Sequence, residues 1–156
     1  MRLATAEINL AALAHNLAQV KGFAPNSKVM AVLKANAYGH GLVTIAQHLN
    51  NADAFAVARI DEGLALRAGG LTKPIVLLEG FFNKADLPIL LANNFQTIIH
   101  DEYQLAALEK AKLDAPITCW LKVNTGMHRL GIAPEQFEEF YNRLQKTPNA
   151  KNTVNL

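Results

Sequence analysis

Residue types able to do chemistry gather in two short stretches. The first is Val32-Leu33-Lys34-Ala35-Asn36-Ala37-Tyr38-Gly39-His40-Gly41. Lys34 directly follows Val29-Met30-Ala31-Val32-Leu33, which reads as a strand buried on both faces because its apolar residues do not alternate. A lysine in that place has two readings. It ends the strand and points into water, or its amine is partly desolvated and can condense with a carbonyl as a Schiff base. The neighbours favour the second reading. Tyr38 follows four residues on. Gly39 and Gly41 let the backbone approach a bound group, and the helix expected behind them offers its N-terminus to an anion. An amine, a phenol and an anion-binding turn together fit an aldehyde that carries a phosphate.

The second stretch is Lys122-Val123-Asn124-Thr125-Gly126-Met127-His128-Arg129-Leu130-Gly131, at the end of another apolar run. Alone it reads as a solvated loop turned by two glycines. Beside the Lys34 stretch it supplies a guanidinium, Arg129, suited to a planar anion such as a carboxylate or a phenolate. His40 and His128 flank the two stretches and are assigned to loops. Asp61 and Glu62 are assigned to a helix cap. Glu79 falls at the end of an apolar run, and Leu78 could pack on a bound group. No cluster has metal-ligand spacing, so no metal is expected.

The elements that must hold these groups alternate along the chain. Residues 2–8 read as a short strand. Asn9 can cap a helix with Leu10, Leu13 and Leu17 on one side, ending near Gly22. Further strands are expected at 53–58, 74–79, 95–99 and 117–123, with the opening of another at 154–156. Helices are expected at 42–49, 60–68, from 84 or 86 to 92, from Asp101 onward, and from Pro134 onward. Asp101 and Gln104 make a capping-box-like pair, and Phe137, Phe140, Tyr141 and Leu144 share one helical face. This βα repetition implies a parallel sheet, because each crossover needs a helix. Both stretches then lie at C-terminal ends of strands, where α/β folds bind their ligands. Spacing alone leaves an open doubly wound sheet and a closed barrel both standing. Gly39-His40-Gly41 is no dinucleotide fingerprint, since the third glycine is missing.

Composition sets broad limits. The chain has 156 residues, enough for one core, with a formal net charge of +2. Its 15 basic residues are scattered without an aromatic-basic cluster, so nucleic acid is not expected as a partner. The single cysteine, Cys119, fits a reducing compartment. No apolar signal core and no membrane span are evident, so a cytoplasmic location without membrane association is expected.

The stretch from Ala31 to Gly41 resembles the pyridoxal-phosphate attachment motif of bacterial alanine racemases. The resemblance continues through Lys122–Gly131 and along the whole chain, which corresponds to the first part of such an enzyme. It implies an α/β fold, a parallel (β/α)8 TIM-type barrel of which residues 1–156 hold about the first five to six βα units. A β-rich C-terminal domain would lie outside this chain. It implies pyridoxal 5'-phosphate as cofactor, bound by Lys34, Tyr38 and Arg129. It also implies interconversion of L- and D-alanine, with Lys34 as catalytic base and Arg129 on the substrate carboxylate.

In many members the lysine matching Lys122 is carbamylated, which would fix Arg129 in place. Asn124 stands where the family usually has aspartate. The acid on the opposite face is, in the family, a tyrosine from the partner subunit of a homodimer. Tyr103 and Tyr141 fall on expected helices away from the strand ends. On this reading the chain is a fragment, inactive alone, of an enzyme that makes D-alanine as a peptidoglycan precursor. Two other readings remain: a single-domain pyridoxal-phosphate-binding protein of the homeostasis type, and an inert half-barrel that associates through its edges.

Overall fold

The computed structural model describes residues 4–155, with side chains through residue 151. Six strands form one parallel sheet: β1 (Met30–Val32), β2 (Ala54–Val57), β3 (Ile75–Leu77), β4 (Phe95–Ile99), β5 (Ile117–Leu121) and β6 (Ala150–Asn155). Their spatial order is β1-β2-β3-β4-β5-β6, identical to their order in the chain. A doubly wound sheet reverses direction at a switch point, and this one does not. Uninterrupted order is the winding of a (β/α)8 barrel, so the structure decides what spacing left open.

The helices are α1 (Leu10–Phe23), α3 (Leu42–His48), α4 (Ile60–Ala68), α5 (Leu87–Ala92), α6 (Glu102–Glu109) and α7 (Phe137–Lys146). A single left-handed turn, α2 (Lys34–Tyr38), separates β1 from α3. Asn9 caps α1, its side chain accepting from the Ala12 N–H at 2.9 Å. Pro88 does not break α5. It occupies the first turn, where its missing N–H has no helical partner to lose, and a 3-10 turn at Lys84–Asp86 leads in. Pro134 likewise opens a 3-10 turn ahead of α7.

Strand alternation divides the apolar residues between two layers. Phe55, Val57, Ile75, Leu77, Phe95, Ile99, Cys119 and Leu121 point outward and are buried under the helices. Leu42, Ile45, Leu66, Leu87, Leu90, Leu105, Leu108, Phe140 and Leu144 cover them from the helix side. Ala56, Val76 and Ile98 point the other way and form a smaller inner cluster with Met30, Leu78 and Trp120. The Trp120 Nε1–H donates to Gln96 Oε1 at 2.7 Å on this inner side. Burial pushes the Cys119 thiol up to about 12, so it behaves as a small apolar group.

Two expectations fail. Residues 4–8 form no strand; residues 2 and 3 lie outside the described residues. β1 is not buried on both faces: it pairs only with β2 among the described elements, and Val32 on the inner face is 40% exposed. A continuous apolar run reports a strand made for two covered faces, and among the described residues the inner face at Val32 is not covered.

Candidate active site

Period-2 alternation carries the inner face to the C-terminal ends of the strands. Two residues beyond inward-facing Val76 comes Leu78, beyond Ile98 comes His100, and beyond Trp120 comes Lys122. Two residues beyond Val32 comes Lys34, which is half-buried and opens the left-handed turn. Ala35, Asn36, Ala37 and Tyr38 have φ of 54°, 55°, 53° and 54°. Successive left-handed residues with side chains are rare, because Cβ crowds the following carbonyl at about 1–2 kcal/mol per residue. Hydrogen bonds hold the turn in that state. The Ala37 N–H donates to Leu33 O at 2.7 Å, Gly41 N–H to Asn36 O at 3.0 Å, and Leu42 N–H to Asn36 Oδ1 at 2.9 Å. Strain of this kind persists only where the surroundings over-determine it, and it concentrates at functional sites.

Lys34 and Arg129 face a common cavity of about 310 Å³, lined also by Glu79, Phe82, His100 and Leu130. His100 is fixed in it: its Nε2–H donates to Glu79 O at 3.2 Å, and Nδ1 lies 3.6 Å from Asp101 Oδ2. Buried Gln104 holds the far wall. Its Nε2 donates to Glu79 O at 3.0 Å and Phe81 O at 3.1 Å, and its Oε1 accepts from the His100 N–H at 3.0 Å. An amine, a guanidinium, an imidazole and the Glu79 carboxylate thus line this space. The set suits an anionic guest that presents a carbonyl to Lys34.

The family profile of the alanine racemase N-terminal domain matches residues 8–154. The chain belongs to the alanine racemase family. It is 60% identical over 149 residues to an alanine racemase of Vibrio parahaemolyticus, covering 96% of this chain and 42% of that protein. It is 57% identical over 156 residues to the biosynthetic alanine racemase of Escherichia coli K12, covering 100% and 44%. The crystal structure of biosynthetic alanine racemase from Pseudomonas aeruginosa superimposes with a TM-score of 0.89 at 37% identity, covering 94% of this chain and 41% of that one. The chain therefore spans less than half the length of these relatives.

Within this alanine racemase N-terminal domain the remaining candidates fall in several places. Lys122 directly follows β5 with inner-face parity, half-buried, and its backbone anchors the loop: its N–H donates to Ile99 O and its carbonyl accepts from the Ile132 N–H, both at 3.0 Å. It does not line the Lys34 cavity. Asn124 organises the Arg129 loop. Its Oδ1 accepts from the Gly126 N–H at 3.2 Å and the His128 N–H at 3.0 Å, and its Nδ2 donates to His128 Nδ1 at 3.1 Å. Tyr38 is exposed and lines a different cavity beside α1, with Leu33, His40 and Leu49. Tyr103 accepts from the Lys84 N–H at 3.3 Å, and Tyr141 stacks on Phe137. None of the three tyrosines lines the Lys34 cavity.

The turn after Lys34 differs from expectation in one chemical respect. Its N–H groups are already used: Gly39 donates to Ala35 O, His40 to Ala37 O, Gly41 to Asn36 O and Leu42 to Asn36 Oδ1. They are closed to an anion, and α3 behind them is too short to offer much of a dipole. Sequence reading missed His100 and Phe82. His100 had a usable signal, since Gln96-Ile98-His100 keeps the inner parity past the end of β4. Phe82 had none: Phe81 and Phe82 are adjacent, and only the fold shows that Phe81 is core and Phe82 is 64% exposed.

Proposed function

We propose that this domain carries the lysine side of a pyridoxal-phosphate-dependent alanine racemase, which interconverts L- and D-alanine. One observation carries the reading: Lys34 after β1 and Arg129 after β5 converge on one cavity at the C-terminal mouth of the sheet. The donor set fits the cofactor, because an amine meets an aldehyde and cations meet its anionic groups. Lys34 would hold it, Arg129 would face its ring oxygen and Leu78 would pack against it; for Tyr38, which lines the cavity beside α1, a cofactor contact rests on the family resemblance alone. When bound, the cofactor withdraws electrons from the substrate and acidifies its Cα proton.

The chain's own residues then act as follows. The Lys34 amine takes that proton on its face of the substrate. Arg129 orients the substrate carboxylate through paired N–H donors. Return of a proton on the opposite face needs a second acid, and the tyrosines of this domain stand outside the cavity. That acid is proposed to come from the C-terminal part of a partner subunit in a homodimer. Lys122 is proposed to be carbamylated, which would add a negative group near the Arg129 loop; an intact mass heavier by one carbon dioxide, lost on acidification, checks it. The enzyme is proposed to work in the cytoplasm, supplying D-alanine for peptidoglycan.

The test is direct. Incubation with pyridoxal phosphate, borohydride reduction and peptide mapping is expected to label Lys34, and Lys34→Ala is expected to lose that label. In the full-length enzyme, turnover of L-alanine coupled to D-amino-acid oxidase is expected to fall at least about 10²–10⁴-fold in Lys34→Ala. Full turnover by the variant would end the reading.

A further inference from the structure

The carboxylate of Glu62 is doing two jobs, and only one belongs to its own helix. Its Oε2 accepts from the Ala58 N–H at 2.9 Å and the Arg59 N–H at 3.3 Å, which closes the start of α4. Its Oε1 reaches across to the neighbouring βα unit and accepts from the Ala35 N–H at 2.5 Å. Ala35 follows Lys34 directly and is the first residue with a positive φ. The far end of the left-handed turn is held from within, by Asn36 Oδ1 on the Leu42 N–H. The near end has no such internal side-chain partner among the described residues. A helical cap alone needs only the Oε2 bonds, so the reach to Ala35 calls for its own explanation.

We propose that Glu62 is a positioning residue for Lys34. Its carboxylate locks the Ala35 peptide, keeps the turn left-handed, and so fixes where the Lys34 side chain leaves the backbone toward the cavity. The proposal rests on the functional reading above for its consequence, the reactivity of Lys34. It stands on geometry alone for its cause. Without the bond, Ala35 can relax to negative φ, and the Lys34 Cα–Cβ direction turns with the peptide that follows it.

The test separates the grip on Ala35 from the cap on α4. Glu62→Ala removes both. Glu62→Asp keeps the charge and can cap the helix, but is one methylene too short to span to Ala35. The full chain is treated with pyridoxal phosphate and borohydride, and labelling of Lys34 is measured against Lys28 and Lys73 in the same molecules. The preference for Lys34 is expected to fall at least tenfold in Glu62→Ala and Glu62→Asp. Hydrogen exchange at Ala35, read without cofactor, is expected to accelerate at least tenfold in both variants.

Folded Glu62→Asp protein with wild-type exchange at Ala35 or with undiminished Lys34 preference would overturn the proposal. If Glu62→Ala does not fold, the aspartate variant decides alone. Wild-type chain that shows no preference for Lys34 would instead refute the cofactor reading, and the exchange data would still decide whether Glu62 holds the turn.

Discussion

Asn124 shows how much one side chain can do at the mouth of a strand. Three hydrogen bonds run from its carboxamide to Gly126 and His128, inside the loop that delivers Arg129. Aspartate at this place would keep the two bonds accepted from backbone N–H groups and reverse the third, its second oxygen accepting from the Nδ1–H tautomer of His128. Loop order therefore depends on the oxygen that accepts from the Gly126 and His128 N–H groups. Asn124→Ala is expected to speed hydrogen exchange at Gly126 and His128 at least tenfold. In the full-length enzyme it is expected to raise KM for alanine by about tenfold, as one charge-assisted contact is loosened. Asn124→Asp is expected to leave exchange at both amides near wild type. The buried Cys119 gives a simpler expectation. With its thiol raised to about 12 by burial, it reacts with alkylating reagent only after urea unfolding.

At the scale of elements, the walls of the cavity depend on connections between neighbouring βα units. Gln104 links the end of β3 to the end of β4, and Gly80 makes room for it. Gly80 has φ of +71°, and a Cβ there would stand 2.3 Å from Gln104 Nε2 and 2.4 Å from Ile98 O. Gln104→Leu would strand Phe81 O and the His100 N–H, at about 1–3 kcal/mol for each group that water cannot reach, and would leave Glu79 O with the His100 Nε2–H alone. We expect a loss of about 2–4 kcal/mol in urea unfolding for that variant, and more than about 1 kcal/mol for Gly80→Ala. The sequence suggested less than this. Asp101 does cap α6, accepting from the Gln104 N–H at 2.8 Å, as the spacing predicts. The Gln104 side chain, however, leaves its own helix and turns to the β3 loop. A capping motif is local, whereas the competing partners, two carbonyls after β3, are brought near only by the parallel pairing of β3 with β4. The same reason hid the reach of Glu62 to Ala35. Strands and helices were legible because apolar periodicity is also local. The closed anion turn was not, because Asn36 folds back on its own loop in a backbone region that alanine and asparagine seldom share.

For the whole molecule, the two ends of the sheet are stitched differently. At the C-terminal mouth the bonds involve Glu62, Gln104 and Asn124 and surround a cavity. At the opposite end, Arg67 donates to the carbonyls of Leu71, Lys73, Asn93 and Asn94 at 2.7 to 3.2 Å, and Asn149 donates to those of Leu108 and Ala111. These bonds join loops to helix ends and leave the chemistry to the other face, in keeping with the division of such barrels into a chemical face and a stabilising one. Around the rim, Arg143 of α7 pairs with Glu102 at 2.7 Å and Glu109 at 2.9 Å, both on α6, and with Glu139 at 3.3 Å. The Arg143 guanidinium holds the Glu109 carboxyl below its ordinary value. A hydrogen bond from Val29, followed by the pairing with Lys21, does the same for Asp53.

An acid with a lowered folded pKa stabilises the fold fully above its unfolded value, about 4.3 for glutamate, and that contribution disappears as pH falls through the folded value. Stability in urea should therefore drop between about pH 5 and pH 3. Arg143→Met tests the share carried by the α6–α7 network. It should cost about 1–2 kcal/mol at pH 7, where three glutamates are left facing one another without their cation. The gap between variant and wild type should close toward pH 3, where protonation removes both the attraction and the repulsion. A gap that persists unchanged at pH 3 would mean that Arg143 stabilises the two helices through its stacking on Phe140, 5.7 Å from its guanidinium carbon, rather than through charge.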